Sequence, residues 1–402
     1  MTAGQADPAA VPGPASLDRV RLARVALGWF ADSGNYALWS RVAAHGPVRV
    51  LDSLLAQGVE VRGDHPGQAS AGPADPRELA AAAIAQGRRL GARLVVPEDD
   101  EWLPQLDQLV DVCRQGREPI DRDAAPPLCL WVRGQGTLTD VFDRSVAVVG
   151  ARAASHYGAH VARQIGYGLA TEGWTVVSGG AYGIDAEAHR GALAAGGRTV
   201  VVLATGIDRV YPAGNANLFD RIVDSGLLVS EWPPAADPFR HRFLIRNRLI
   251  AAGTRGTVLV EAAARSGARQ TLRRAGQLNR VRMVVPGPVT SAMSVGCHLE
   301  LRDDPRVRLV TAASEILEEV GRVGADLAPV PRGPERARDH LAPLERRLVE
   351  ALLKRKPLPT EAVAARARVP FADATRLLPS LVLRGYAQRR GHGFVLAAGE
   401  VA

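Results

Sequence analysis

Six apolar runs in the middle of the chain stop at residues suited to gripping an anion. The first, Ser145 to Val149, runs into Gly150–Ala151–Arg152, and Ser155 and Gly158 then open a helix. The next ends in Ser178–Gly179–Gly180, with Gly183, Asp185 and His189 following. Later runs end in Thr205–Gly206, Ser230–Glu231, Glu261 with Ser266–Gly267, and Pro286–Gly287; between the fourth and fifth stands Phe243–Leu244–Ile245–Arg246–Asn247–Arg248. Small residues let backbone N–H groups approach an anion, and a helix N-terminus adds partial positive charge. Arg152, Arg246 and Arg248 would add full charges, so the set suits a polyanion.

Each residue alone also has a plain structural use. A glycine after a strand serves turn geometry, His189 can pack a helix, and Asp185 can cap one. Glu261 can tie neighbouring loops together, and Arg246 with Arg248 can form an internal ion-pair cluster. Their shared placement at strand ends carries the weight.

Familiar nucleotide chemistries lack their parts. A dinucleotide turn wants G-x-G-x-x-G and an acid after the second strand, whereas this chain has Gly150–Ala151–Arg152 and then Ser178–Gly179–Gly180. A Walker A loop needs a lysine, and Lys354 and Lys356 are the only lysines in the chain. There is no G-x-S-x-G elbow, and no Ser/His/Asp or Cys/His set announces itself. No catalytic residue, metal site or cofactor is expected.

The elements that must position these residues alternate. The runs "SVAVVGA", "WTVVSGG", "RTVVVLATG", "GLLVSEW", "GTVLVEA" and "RMVVPGP" are separated by helical stretches near 158–172, 184–195, 215–225, 242–252 and 267–279. Continuous apolar strands between helices predict an α/β fold, a doubly wound parallel sheet covered on both faces. Ligands bind such sheets at the carboxyl ends of the strands.

The flanks read differently. Residues 1–16 look like a disordered tail, 17–60 a small helical module, and 61–92 a linker with one helix near Arg77–Arg88. The main core is expected over 93–321, a linker over 322–340, and a winged helix over 341–402, with three helices and a hairpin around Gly391–Gly393.

With 402 residues, 47% hydrophobic and 23% charged, the chain has the composition of a globular protein of two or three domains. Of its net charge of +8, nearly all lies in residues 331–402, where fourteen basic residues face seven acidic ones. Arginine carries almost all of it; a GC-rich genome explains that bias, and arginine also offers a planar fork for phosphates. Cys113, Cys129 and Cys297 make neither a disulfide framework nor a zinc pattern, and the start lacks a signal peptide. A reduced, cytoplasmic setting is expected.

The runs "VAVVGARAASHYG", "VVSGGAYGIDAEAH", "VLATGIDRVYP", "LLVSEWPP", "FLIRNRLIAAG", "VLVEAAARSGARQT" and "VPGPVTSAMSVGCHLEL" resemble, in order and spacing over about residues 145–302, the DprA/Smf family of bacterial DNA-processing proteins. The resemblance implies an extended Rossmann core without catalysis that binds single-stranded DNA, self-associates as a homodimer and helps load the recombinase RecA during natural transformation. Single-strand-binding protein is a further candidate partner, and the helical module would be SAM-like.

By motif position, the resemblance implies a DNA pocket of Gly150, Arg152, Ser155, Ser178, Gly179, Gly183, Phe243, Arg246, Asn247, Arg248, Ser266 and Gly267. Among aromatic residues that could stack on bases (Tyr157, Trp232, Phe243), only Phe243 has a motif position behind it. Three places depart from the family pattern: Arg269 stands where an apolar residue is common, Leu244 where proline is frequent, and "HLELRDDPRV" replaces an apolar pair and glycine. Two alternatives compete. A nucleotide phosphoribohydrolase would use Gly256–Thr257 and Glu261, but the required Pro-Gly-Gly is missing. A winged-helix reader of duplex DNA would need more base-reading side chains than Phe371–Arg384 offers.

Overall fold

Strand sequences such as Ser145–Val149 and Thr199–Val202 are buried along their whole length, the burial expected of strands covered on both faces. The computed structural model describes residues 14–61, 75–116, 119–322, 326–328 and 337–397. It divides into two compact units, Met1–Ala328 and Pro329–Ala402.

The first unit is built on a nine-stranded sheet. Its strands are β1 (Ala92–Val95), β2 (Leu130–Gly134), β3 (Ser145–Val149), β4 (Thr175–Ser178), β5 (Thr199–Val202), β6 (Leu227–Ser230), β7 (Gly256–Leu259), β8 (Val281–Val284) and β9 (Val307–Leu309). Their spatial order is β1-β2-β6-β5-β4-β3-β7-β8-β9. From β6 to β9 every pairing is parallel, while β2 runs antiparallel to both β1 and β6. The expected α/β fold, a Rossmann-like parallel sheet, is the one observed, with an antiparallel pair added at one edge.

The helices are α1 (Pro14–Leu27), α2 (Tyr36–His45), α3 (Pro47–Ala56), α4 (Pro76–Arg89), α5 (Leu109–Gln115), α6 (Leu138–Asp143), α7 (His156–Thr171), α8 (Ile184–Ala194), α9 (Ala216–Ser225), α10 (Arg240–Gly253), α11 (Gly267–Gln277), α12 (Val295–Asp303) and α13 (Ala313–Val320). Period-two alternation splits β3 between two cores. Val146 and Val148 join Ile165 and Leu169 of α7, whereas Ala147 and Val149 join Leu249 and Ile250 of α10 and Leu272 of α11.

The N-terminal helices belong to this unit. Leu27, Trp29, Val50 and Leu51 share one core with Trp131 of β2, Leu228 of β6 and Phe219 of α9. Of the expected tail, residues 1–13 lie outside the described residues, and Pro14 already stands in α1. No helix among the described residues is long and apolar enough to cross a membrane.

The second unit packs α14 (Pro343–Ala351), α15 (Thr360–Ala367) and α16 (Phe371–Leu383) against the hairpin of β10 (Ala387–Arg390) and β11 (Gly393–Leu396). Leu348, Val363, Leu378, Leu381 and Phe394 form its core, and Leu358 bridges to Phe394 as a third strand position. Lys354, Arg355, Lys356, Arg389 and Arg390 are all exposed.

Candidate nucleic-acid interface

From β3 the chain steps outward through β4, β5 and β6, then returns along α10 to β7 on the other side of β3. That reversal opens a crevice at the carboxyl ends of β3 and β7, where ligands bind open α/β sheets. A cleft of about 270 Å³ lies there, lined by Gly150, Arg152, Asp185, Phe243, Leu244, Arg246, Asn247, Ser266, Gly267 and Thr271, among others.

Arg152 is exposed, and its guanidinium carbon lies 5.2 Å from the centroid of the Phe243 ring. No carboxylate among the described residues pairs with it. Phe243 is half-buried and also meets Tyr211, ring centroids 5.3 Å apart, with Tyr211 itself exposed. On the cleft wall a cation thus meets an aromatic face, which in turn meets a second, exposed ring.

Beneath them Arg246 is buried. Its Nη1 donates to the carbonyl of Gly179 at 2.9 Å and to that of Val202, and its Nε donates to Asn247 Oδ1 at 3.2 Å. Burial pulls its pKa down to about 10; the Asp185 carboxylate works against that, and the Arg152 charge adds to it. Asp185 accepts from the amides of Gly179 (3.1 Å) and Ala181 (3.4 Å). Burial raises the pKa of this carboxyl, with Arg246 and those hydrogen bonds opposing. Arg246 from α10 and Asp185 from α8 thus both grip the loop after β4 through Gly179.

Two glycines make this possible. A side chain at Gly179 would land on the Arg246 guanidinium. Gly183 has φ +78°, where L side chains are strained, and a Cβ there would run into the carbonyls of Ala151 and Arg152. Gly183 therefore supports the loop that presents Arg152. Gly150 sits against Ile184, with room for no Cβ.

Three residues of the implied pocket point elsewhere. Arg248 is 1% exposed and makes a forked ion pair with Glu231, Nη2 to Oε1 at 2.7 Å and Nη1 to Oε2 at 2.9 Å. Ser178 is fully buried, and its hydroxyl donates to the Val148 carbonyl at 2.6 Å. Ser155 caps α7 by accepting from Gly158 N, but its own amide and hydroxyl donate to the Glu261 carboxylate at 2.9 and 2.6 Å. The helix N-terminus offered to a phosphate is thus filled by the chain's own carboxylate, which is 1% exposed. Glu261 ties loops together, the plainer of its two uses.

The remaining positions behave simply. Gly150, Arg152, Phe243, Arg246, Asn247, Ser266 and Gly267 line the cleft, with Ser266 capping α11 through Ala268 N. His189 is fully buried and packs, its Nδ1 2.6 Å from Thr199 Oγ1. Among the described residues no cluster of His, Cys, Asp or Glu could hold a metal ion. Sequence reading missed Thr271 on the cleft wall, because a mid-helix threonine carries no strand-end signal. It also missed Asp32 and Arg242 behind α10.

The family model for DNA recombination-mediator protein A matches residues 94–321. The putative DNA processing protein DprA of Mycobacterium tuberculosis is 45% identical over 312 residues, 77% of this chain and 79% of that protein. Protein Smf of Escherichia coli is 33% identical over 291 residues, 69% of this chain and 76% of that protein. The X-ray structure of DprA from Streptococcus pneumoniae superposes with a TM-score of 0.57 at 28% identity, covering 74% of this chain and 96% of that one. The chain belongs to the DprA/Smf family of DNA recombination-mediator proteins.

Proposed function

We propose that this protein binds single-stranded DNA, with little sequence preference, in the cleft at the carboxyl ends of β3 and β7. The observation that carries the reading is the row of Arg152, Phe243 and Tyr211. An exposed guanidinium suits a phosphate, and the adjoining rings suit unpaired bases. Buried Arg246 and Asp185, both bonded to Gly179, give that row a fixed floor.

Family membership extends the proposal: the protein works as a homodimer in the cytoplasm, hands its strand to RecA, and serves DNA uptake and recombination alongside single-strand-binding protein. It carries no catalytic step in this reading. The Glu261 carboxylate, which a phosphoribohydrolase would need, is spent on Ser155.

Gel-shift titration of matched single- and double-stranded oligonucleotides over a salt series tests it. Single strands should bind more tightly, and affinity should fall steeply with salt, since each neutralised phosphate releases about 0.7 counterions on a single strand. Equal affinity for both forms would contradict the reading.

A further inference from the structure

α10 begins against the usual electrostatics of helices. Its first residues are Arg240, His241 and Arg242, there is no acid in its first turn, and Phe239 at its N-cap gives no side-chain hydrogen bond. Cations at a helix N-terminus oppose the helix dipole, and the first amides lack partners. Yet this turn leads directly into Phe243, Arg246 and Asn247.

The missing negative charge comes from the N-terminal helices. Asp32, between α1 and α2, accepts from His241 Nε2 at 2.6 Å, from Trp232 Nε1 at 3.0 Å and, at the long limit, from Arg242 Nε at 3.5 Å. Trp232 and Arg242 are 1% and 0% exposed. The Arg242 guanidinium lies 4.7 Å from the Phe239 ring centroid and 5.7 Å from that of Trp232. Its Nη1 donates to the Asp237 carbonyl at 3.0 Å. Burial raises the Asp32 pKa, but the Arg242 charge and the hydrogen bonds from His241, Trp232 and Ser33 outweigh it and hold the carboxyl at about 2.

Helix periodicity carries this hold into the cleft. Arg242 and Arg246 lie one turn apart on one face, and Phe243 and Asn247 one turn apart on the next. We infer that Asp32 is a positioning residue for the DNA cleft: a carboxylate from the N-terminal helices that fixes the first turn of α10 and thereby sets Phe243 and Arg246. The inference rests on the reading of the cleft as a DNA site.

The test compares four full-length variants with the native chain, by binding of an oligothymidylate and by amide hydrogen exchange over the first turn of α10. D32N should bind about tenfold more weakly, equivalent to 1.4 kcal/mol, with faster exchange in that turn. E98Q breaks a different tether of the same helices, the Arg24–Glu98 pair at 2.6 Å, and should leave both readouts native. If D32N folds too poorly to assay, H241A at its exposed position should show the same two changes at smaller size. Native binding and exchange in D32N, or equal losses in E98Q, would overturn the inference. If R152A binds like the native chain, the cleft itself is misread, and the exchange measurement still decides whether Asp32 holds α10.

Discussion

Arg269 of α11 and Glu300 of α12 meet in a buried ion pair, Nε to Oε1 2.7 Å, with only 10% and 7% of their side chains exposed. Both lie where the sequence departs from the family pattern, so two apparent departures are one coupled change. The Arg269 Nη1 also donates to the Ala264 carbonyl, on the approach to Ser266 at the cleft. Removing Glu300 strands the buried Arg269 charge and should cost about 3–5 kcal/mol, whereas removing Arg269 leaves Glu300 a second partner, Arg273 Nε at 3.4 Å, and should cost less. Denaturant unfolding of R269L and E300L checks this: E300L should be strongly destabilised and R269L less so.

Among the described residues Arg152 has no acidic partner to lose. R152A should keep the native melting temperature and weaken single-strand binding roughly 10- to 150-fold, the scale of a charged hydrogen bond of about 1.5–3 kcal/mol. R152K should recover part of the loss, because a point charge cannot reproduce a planar fork. Affinity and melting measured on the same samples decide. A destabilised R152A with native affinity would sink the assignment.

Arg248 should behave in the opposite way. R248A leaves Glu231 buried and unpaired, and should destabilise the protein by about 3–5 kcal/mol. At temperatures where the variant remains folded, DNA affinity should change little. A stable R248A with lost DNA binding would return this residue to the interface.

His189 makes stability depend on pH. Thr199 Oγ1 donates to the Val176 carbonyl at 2.7 Å, so it accepts from His189 Nδ1–H and leaves Nε2 without a partner. Burial lowers the pKa of this imidazole to about 3 from 6.5, with Arg190 and Arg246 adding to the effect. A depressed folded pKa contributes stability that is present above pH 6.5 and is lost as the pH falls toward 3, because the unfolded chain then binds the extra proton. H189L should flatten that part of the stability–pH curve, as measured by urea unfolding at several pH values. A native slope in H189L would place the acid sensitivity elsewhere.

How far the sequence could be read depends on how local each cause is. β3 was legible to the residue because an apolar β-branched run stops at a glycine. α10 starts at Arg240, two residues before the expected 242, because its stabilising charge, Asp32, is 210 residues from Arg242 and leaves no cap signal beside it. Arg246 and Arg248 looked like a pair facing one rim, but residues two apart on a helix point roughly 200° away from each other. One therefore floors the cleft while the other pairs with Glu231. Ser155 read as an anion ligand because the carboxylate that occupies it lies 106 residues further on.

That occupied turn sets what the proposed site can ignore. A free nucleoside triphosphate seeks an open helix N-terminus for its phosphates, and here Glu261 already sits on the Ser155 amide as a built-in competitor of the same charge. What remains is a shallow sum of contacts along a row, which a polymer collects by spanning them all and a monomer does not. On the proposed reading, the cell's dissolved nucleotides pass by this Rossmann sheet, and it answers to strand length.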